Sequence, residues 1–272
     1  MKECFRMNEN ESFYNAEYFN SKHSFCEKTH CNDCYEIIYT SSGFGSYVLE
    51  GAAYTLAPHT LLISAPIKYH SISYDGEAEY CIFNFAENTI GEQTSDLLKR
   101  MLGAADGVFY NLMSSNDNAF DWFEKIKTVN ALHGQERDAL ICSCISDIVS
   151  FLSDMPSTRL LNLKDTLVPR VMRYINENIH GDLSLDSISG HFFVNKCYLC
   201  RAFKRYNGIS VHTYINQKRV LYAKQIIEKG ESAARAADKV GFGDYSTFYR
   251  AYIKFFDQPP TNTFRGKEEG LI

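Results

Sequence analysis

Between residues 35 and 85 the apolar positions come in short bursts, at 35–39, 46–49, 61–63, 71–74 and 80–85. Turn-forming residues break them at Ser41-Ser42-Gly43, Glu50-Gly51, Ala57-Pro58 and Asp75-Gly76. Runs this short, rich in β-branched and aromatic side chains, predict an antiparallel sandwich or barrel, which can enclose a small molecule. Beyond Glu87 the pattern changes to a helical period, weak over 94–102, clearer over 120–129 and best over 138–152. In the last segment Leu140, Ile141, Cys144, Ile145, Ile148, Phe151 and Leu152 fall on one wide stripe, which must be covered by something. Two coverings are open: the β-domain of the same chain, or a second protomer, with Ile141, Cys144, Ile145 and Ile148 forming a helix-to-helix dimer contact.

The last third contains an internal repeat. Leu199-Cys200-Arg201-Ala202-Phe203-Lys204-Arg205-Tyr206 matches Phe248-Tyr249-Arg250-Ala251-Tyr252-Ile253-Lys254-Phe255 at an offset of 49 residues, and 183–189 matches 232–237 at an offset of 48. Leu199, Phe203 and Tyr206, and likewise Phe248, Tyr252 and Phe255, have the i, i+4, i+7 spacing of a helical core face, so Arg201 and Arg250 must point elsewhere. Each copy reads as a short helix, a tight turn and a second helix, with Asn195 and Asp244 as N-caps of the second helices. One long helix over 211–229, stopped by Gly230, joins them.

Two helix-turn-helix units on one connector are a DNA-reading geometry, in which the second helix of each unit enters the major groove by its N-terminal half. The outward residues expected to read base edges are Lys196, Cys197, Cys200 and Arg201 in the first copy, and Tyr245, Ser246, Tyr249 and Arg250 in the second. An Arg bidentate to guanine contributes about 1–3 kcal/mol of discrimination, which singles out Arg201 and Arg250, although each could instead grip phosphate. Lys204, Arg205 and Lys254 lie further along and are expected at phosphates.

A net charge of -5 over 272 residues argues against a nucleic-acid partner only while it is taken as an average. Residues 167–272 hold 16 Lys and Arg against 10 Asp and Glu, leaving 12 against 23 in residues 1–166. A +6 third therefore stands behind a -11 front part, as expected of a polyanion-binding module fused to something else. The length suits two domains. We expect a β-plus-helix domain over 1–152, with strands about 20–87 and helices about 92–152, a linker over 153–166, and a helical domain over 167–272. No run of 18 apolar residues exists to span a bilayer. The start, MKECFRMNENESF, lacks an export signal, so a cytoplasmic protein with its nine cysteines reduced is expected. The pairs Cys31/Cys34 and Cys197/Cys200 are isolated and lack the doubled spacing of a zinc site. Oxidation of the second pair would sit on the DNA-reading face.

Over 168–265 the chain resembles the AraC/XylS-type bacterial transcription regulators. The resemblance rests on Tyr174-Ile175, Leu183-Ser184-Leu185, Tyr198-Leu199-Cys200-Arg201-Ala202-Phe203-Lys204, Gly208-Ile209-Ser210, Tyr214-Ile215, Arg219-Val220 and Ala223. In the second copy it rests on Ala237, Val240-Gly241-Phe242, Asp244, Ser246, Phe248, Arg250, Tyr252 and the stretch from Pro259-Pro260 to Phe264-Arg265. Ala233 and Ala236 depart from the larger aliphatics usual there, and Phe264 stands one residue late. At about 0.8 kcal/mol per lost CH₂, the alanines imply a looser second unit. Less specifically, the front part resembles the cupin-like effector domain of such regulators through His30, Asn32-Asp33, Tyr35-Glu36-Ile37, Gly43 to Gly45, Leu61-Leu62-Ile63, Pro66 and His70. Metal-binding cupins use two His, a Glu and a later His, and here Asn32 stands at the second His place. For His30, Glu36 and His70, a deficient metal site, the polar lining of an effector pocket shared with Tyr47, and a plain structural role all stay open.

The resemblance implies an α+β chain: a cupin-like antiparallel β-barrel followed by helices, then an all-α domain with two helix-turn-helix units joined by a long helix. It implies a homodimeric, effector-controlled transcription regulator or activator that binds double-stranded DNA, with RNA polymerase as a further partner, no catalytic residue, no cofactor and no assigned metal. Two alternatives compete with it: a metal-dependent cupin enzyme carrying a DNA-binding tail, and a regulator whose front domain binds another protein.

Overall fold

The computed structural model describes residues 14–27, 29–112, 121–160 and 166–260. Strand β3 (Tyr35–Ser42) shows how the first domain is layered, because it is buried on both faces. Ile37 and Tyr39 point to one side, where they join a core shared with helices, and Glu36, Ile38 and Thr40 point to the other, towards a second sheet. A strand with two apolar faces belongs in the middle layer of such a fold. Accordingly β3 is internal to a six-stranded antiparallel sheet ordered β1 (Tyr14–Ser21), β8 (Ala78–Phe85), β3, β6 (Thr60–Ser64), β9 (Gly107–Asn111) and β10 (Thr158–Leu160). The facing sheet is ordered β2 (Phe25–Cys26), β7 (His70–Tyr74), β4 (Gly45–Leu49) and β5 (Ala52–Leu56). Hydrogen bonding therefore divides the antiparallel β-domain into two sheets, with Ile38, Leu62, Tyr47, Ile72, Tyr74 and Tyr80 among the side chains filling the space between them.

Turn chemistry sets the registers. Leu49 pairs with Ala52, leaving Glu50 and Gly51 as a two-residue loop with φ of 46° and 80°, the type I′ hairpin that matches strand twist and requires positive φ at both positions.

Helices α1 (Glu92–Leu102), α2 (Asp121–Ile126) and α3 (Gly134–Leu152) cover the outer face of the larger sheet. This corrects the dimer assignment. Ile141, Cys144, Ile145 and Ile148 are each 0% exposed, packed in one core with Tyr39, Phe83 and Trp122. The stripe is satisfied within its own domain and offers these side chains to no second protomer.

Two boundaries also differ from the expectation. The sheet begins at Tyr14 and gains strands at Gly107–Asn111 and Thr158–Leu160, so the β part does not end near residue 87. The segment 153–166 is in part a strand: Thr158 pairs with Phe109 and Leu160 with Gly107. The chain divides into compact units between residues 163 and 164. Residues 161–165 of the expected linker, the first thirteen residues, and Phe264 with Arg265 lie outside the described residues.

Among the described residues the regular elements of the second unit are all helices: α4 (Leu167–Glu177), α5 (Leu185–His191), α6 (Lys196–Asn207), α7 (Val211–Glu228), α8 (Ala233–Lys239) and α9 (Tyr245–Phe256). Among the described residues no helix is long and apolar enough to cross a membrane. Ala236 and Ala237 are fully buried with Val240, Phe248 and Tyr252, with Ala233 at the edge of that core. One expected core residue is misplaced. Tyr206 is 42% exposed, while Asn207 is buried in its stead. The buried stripe of α6 is centred on Phe203, so position 207 completes it, and the polarity of Asn207 hid that from an apolar pattern.

Candidate functional site

The two helix-turn-helix units are built alike, with a side-chain oxygen capping the start of every helix in both. Ser184 Oγ accepts from the Ser187 N–H at 3.1 Å, and Ser232 Oγ, 48 residues on, accepts from the Arg235 N–H at 3.3 Å. At the second helices, Asn195 Oδ1 accepts from the Cys197 N–H at 2.8 Å and Asp244 Oδ1 from the Thr247 N–H at 2.7 Å. Hydrogen bonds from Thr247 hold the Asp244 carboxyl below the usual carboxylate range, so the cap stays ionised beside a helix N-terminus. The turns repeat too: Phe193 has φ 52° and Gly241, 48 residues later, φ 86°. A Cβ at Gly241 would meet Arg219 Nη2 at 2.8 Å and His180 O at 2.9 Å, so this turn requires glycine for both conformation and space.

Leu199 and Phe203, and Phe248 and Tyr252, anchor the second helices, which turns the expected base-reading residues outward. Lys196, Cys197, Arg201, Tyr245, Ser246, Tyr249 and Arg250 are exposed and Cys200 half-buried, and Lys204, Arg205 and Lys254 are exposed further along. Arg201 Nε donates to Cys197 O at 3.3 Å, and Arg250 Nε donates to Ser246 O at 3.3 Å. In both copies the guanidinium is thus bonded along its own helix four residues back, with donors to spare. Lys196 is paired with Asp186 of α5, an exposed contact that costs little to exchange for a phosphate. Arg219 of α7 donates to Ile179 O at 3.0 Å and Gly181 O at 2.7 Å, and His180 Nδ1 lies 2.7 Å from Lys239 O. These bonds tie the α4–α5 loop to α7 and α8, joining the two copies in one body. They were not read from the sequence, where Arg219 served only as a point of resemblance.

In the β-domain the structure brings together His30, Glu36, Tyr47 and His70. Glu36 is on the inner side of β3, Tyr47 on β4 and His70 at the start of β7, while His30 joins β7 through a bridge in which His30 and His70 exchange backbone hydrogen bonds of 2.9 Å. Tyr47 Oη donates to Glu36 Oε1 at 2.9 Å, and the other carboxylate oxygen lies 3.5 Å from His70 Nε2. His70 Nδ1 lies 2.9 Å from the Lys68 carbonyl oxygen, which can only accept, so Nδ1 carries a hydrogen.

The loop behind His70 is pinned on several sides. Glu50 Oε1 accepts from the Tyr69 N–H at 2.8 Å, Lys68 pairs with Asp106 at 2.6 Å, and the Ile67 N–H donates to Asn32 O at 2.9 Å. Glu50, Lys68 and Asp106 thus frame the cluster, a role hidden because their partners are distant in sequence. Burial raises the Glu36 pKa, but His70, His30 and the Tyr47 hydroxyl together outweigh it and hold the carboxyl below the usual range. Burial likewise disfavours the His70 imidazolium, yet Glu36, the Lys68 carbonyl and Glu27 together outweigh it and lift His70 above the ordinary histidine value. Burial, then the Glu36 charge, pushes the Tyr47 phenol well up, so it remains a donor.

The eight described cysteines are free thiols. Cys31 and Cys34 are buried, and Cys34 Sγ lies 3.7 Å from Asn84 Oδ1, so that pair is packed into the domain.

A two-sheet β-domain with a buried polar centre, followed by a double helix-turn-helix unit, defines a two-domain chain that joins a ligand-binding fold to a DNA-binding one. Residues 16–114 match the AraC-like ligand binding domain family and residues 188–266 match a helix-turn-helix domain family. Each of the two domains thus matches a family model of its own, and the pairing is similar to that of the AraC-type regulators. Among curated proteins the chain is similar to the regulatory protein PocR of Salmonella typhimurium, 26% identical over 97 residues, which are 35% of this chain and 32% of PocR. It is also similar to the transcriptional regulatory protein HptR of Staphylococcus aureus, 26% identical over 98 residues, 36% of this chain and 39% of HptR. The chain thus spans about a third of the length of the curated relatives it matches. Among solved structures, ToxT of Vibrio cholerae aligns at 15% identity over 92% of this chain and 95% of ToxT, with a TM-score of 0.38.

Proposed function

We propose that the chain is a sequence-specific, DNA-binding transcription regulator whose β-domain receives the controlling signal. The observation that carries this reading is the repeat of one exposed surface: Arg201 and Arg250, 49 residues apart, stand on equivalent helices above equivalent caps with the same hydrogen bond back along the helix. Arg201, with Lys196, Cys197 and Cys200, reads one half-site, and Arg250, with Tyr245, Ser246 and Tyr249, reads the next. Lys204, Arg205 and Lys254 hold phosphates. The two helices enter successive major grooves, about 34 Å apart on one face of the duplex. That PocR and HptR are regulators by description supports the same reading and favours regulation over catalysis, so no residue is given a catalytic role.

The β-domain receives a small-molecule effector, with His30, Glu36, Tyr47 and His70 as its polar centre. An effector shifts the regulator only if it binds its two states unequally. The protein acts in the cytoplasm as a homodimer, through a surface other than the buried stripe of α3, and as an activator meets RNA polymerase. Footprinting on the promoter region upstream of its own coding sequence tests the reading. Arg201→Ala and Arg250→Ala should each relax base preference at one position, and native affinity and specificity in both variants would overturn the assignment.

A further inference from the structure

His70 Nε2 is buried and has no hydrogen-bond partner. Its other nitrogen donates to the Lys68 carbonyl, so in the neutral ring Nε2 is a lone pair, and it faces Glu36 Oε2 across 3.5 Å. Two acceptors held face to face at the centre of a domain require a cation between them. A proton on His70 is one solution and a metal ion is the other. We propose that His30, Glu36 and His70 form a binding site for a divalent first-row transition-metal ion in the β-domain, an assignment that gives the effector reading above a specific ligand.

Three observations converge on that ion. Ligand atoms of all three side chains lie within 4.8 Å of one another. A tetrahedral ion with bonds of about 2.0–2.1 Å spaces its ligands about 3.3 Å apart, so the Glu36–His70 pair is already set. His30, whose side chain is 24% exposed with Nδ1 4.0 Å from Glu27 Oε1, is the most exposed of the three and must shift to close the remaining gap. The outer contacts are those a metal centre needs. Nδ1–H of His70 is committed to a backbone carbonyl, and Tyr47 binds Oε1 of Glu36, so His70 and Glu36 turn their remaining atoms towards each other. Two imidazoles and one carboxylate select Zn, Co, Ni or Fe(II) over Mg or Ca, which favour oxygen ligands. Three protein ligands leave at least one position open to water or to an oxygen donor.

Full-length protein stripped with EDTA and titrated with Co(II), followed by visible absorption and calorimetry, tests the site. The expected result is one equivalent bound, no thiolate-to-cobalt charge-transfer band, and binding weakened at least tenfold in His30→Ala and in Glu36→Gln. Cys197→Ser/Cys200→Ser should take up Co(II) as the parent does. His30→Ala alters the most exposed ligand and Glu36→Gln preserves shape, and the melting profile of each identifies a variant that has not folded. No binding by the parent, a thiolate band at one equivalent, or undiminished affinity in folded His30→Ala would overturn the proposal. DNA affinity measured on the same preparations separates the two readings, because lost metal binding with intact DNA binding removes only this site.

Discussion

Tyr47 shows how much a single hydroxyl can decide. Its phenol is the donor that satisfies Glu36 Oε1 inside the sandwich, and Tyr47→Phe removes that donor while keeping the ring. The buried carboxylate oxygen left behind should cost about 1–3 kcal/mol, read as a lower urea midpoint for the β-domain. An unchanged midpoint would mean that Tyr47 does not support Glu36. Arg201 and Arg250 are the opposite case. Both are exposed, so their alanine variants should melt with the parent while losing about 1–3 kcal/mol of discrimination at one base position each. The outward placement of these residues was legible in the sequence, because two aromatic or aliphatic anchors at helical spacing leave only one face for the arginine between them. The orientation of His70 was not. It depends on the Lys68 carbonyl two residues away, held in turn by Glu50 and Asp106, which no local period brings to this loop.

At the scale of elements, α3 is where the pattern was plain and its meaning was not. A stripe records that a helix is covered, and coverage by its own sheet and coverage by a partner leave the same signature in sequence. With Ile145 fully buried, Ile145→Glu places a charge in an apolar core and should cost about 3 kcal/mol or more. The expected outcome is loss of the folded β-domain in a circular dichroism melt. A folded, stable monomer would restore the dimer assignment.

Strands β1 and β5 are sheet edges that escaped notice although each carries four apolar residues, and the Val108-Phe109-Tyr110 run of β9 was a usable signal hidden among helices. The turns allow a second test. Phe193 holds a left-handed conformation at 95% exposure, so Phe193→Gly loses no packing and should be neutral or stabilise by up to about 1 kcal/mol. Gly241→Ala should instead destabilise, since its Cβ meets Arg219 and a backbone oxygen. Equal effects of the two changes on the thermal midpoint would contradict the difference in their surroundings.

For the whole molecule, the informative quantity is the division of charge, -11 before residue 167 and +6 from there on. The division follows the fold, because the helical unit that begins at residue 164 carries the duplicated reading surface. Two domains and their types were legible because each has its own period, two residues for strands and nearly four for helices. Their boundary was blurred by β10, a three-residue strand whose only signal is its pairing with β9. A basic surface of this kind should bind DNA less tightly as salt rises, with the slope falling by about one for each phosphate-contacting residue removed. Lys204→Ala, Arg205→Ala and Lys254→Ala should each lower the slope without changing sequence preference.

Hydroxyl-radical footprinting of the full-length protein on a selected binding site tests the central claim most directly. The duplicated geometry predicts two protected stretches one helical turn apart on one face of the duplex, about 10 base pairs centre to centre, with Arg201→Ala weakening one and Arg250→Ala the other. A single protected stretch that responds to both variants alike, or protection that follows salt but no sequence, would contradict it.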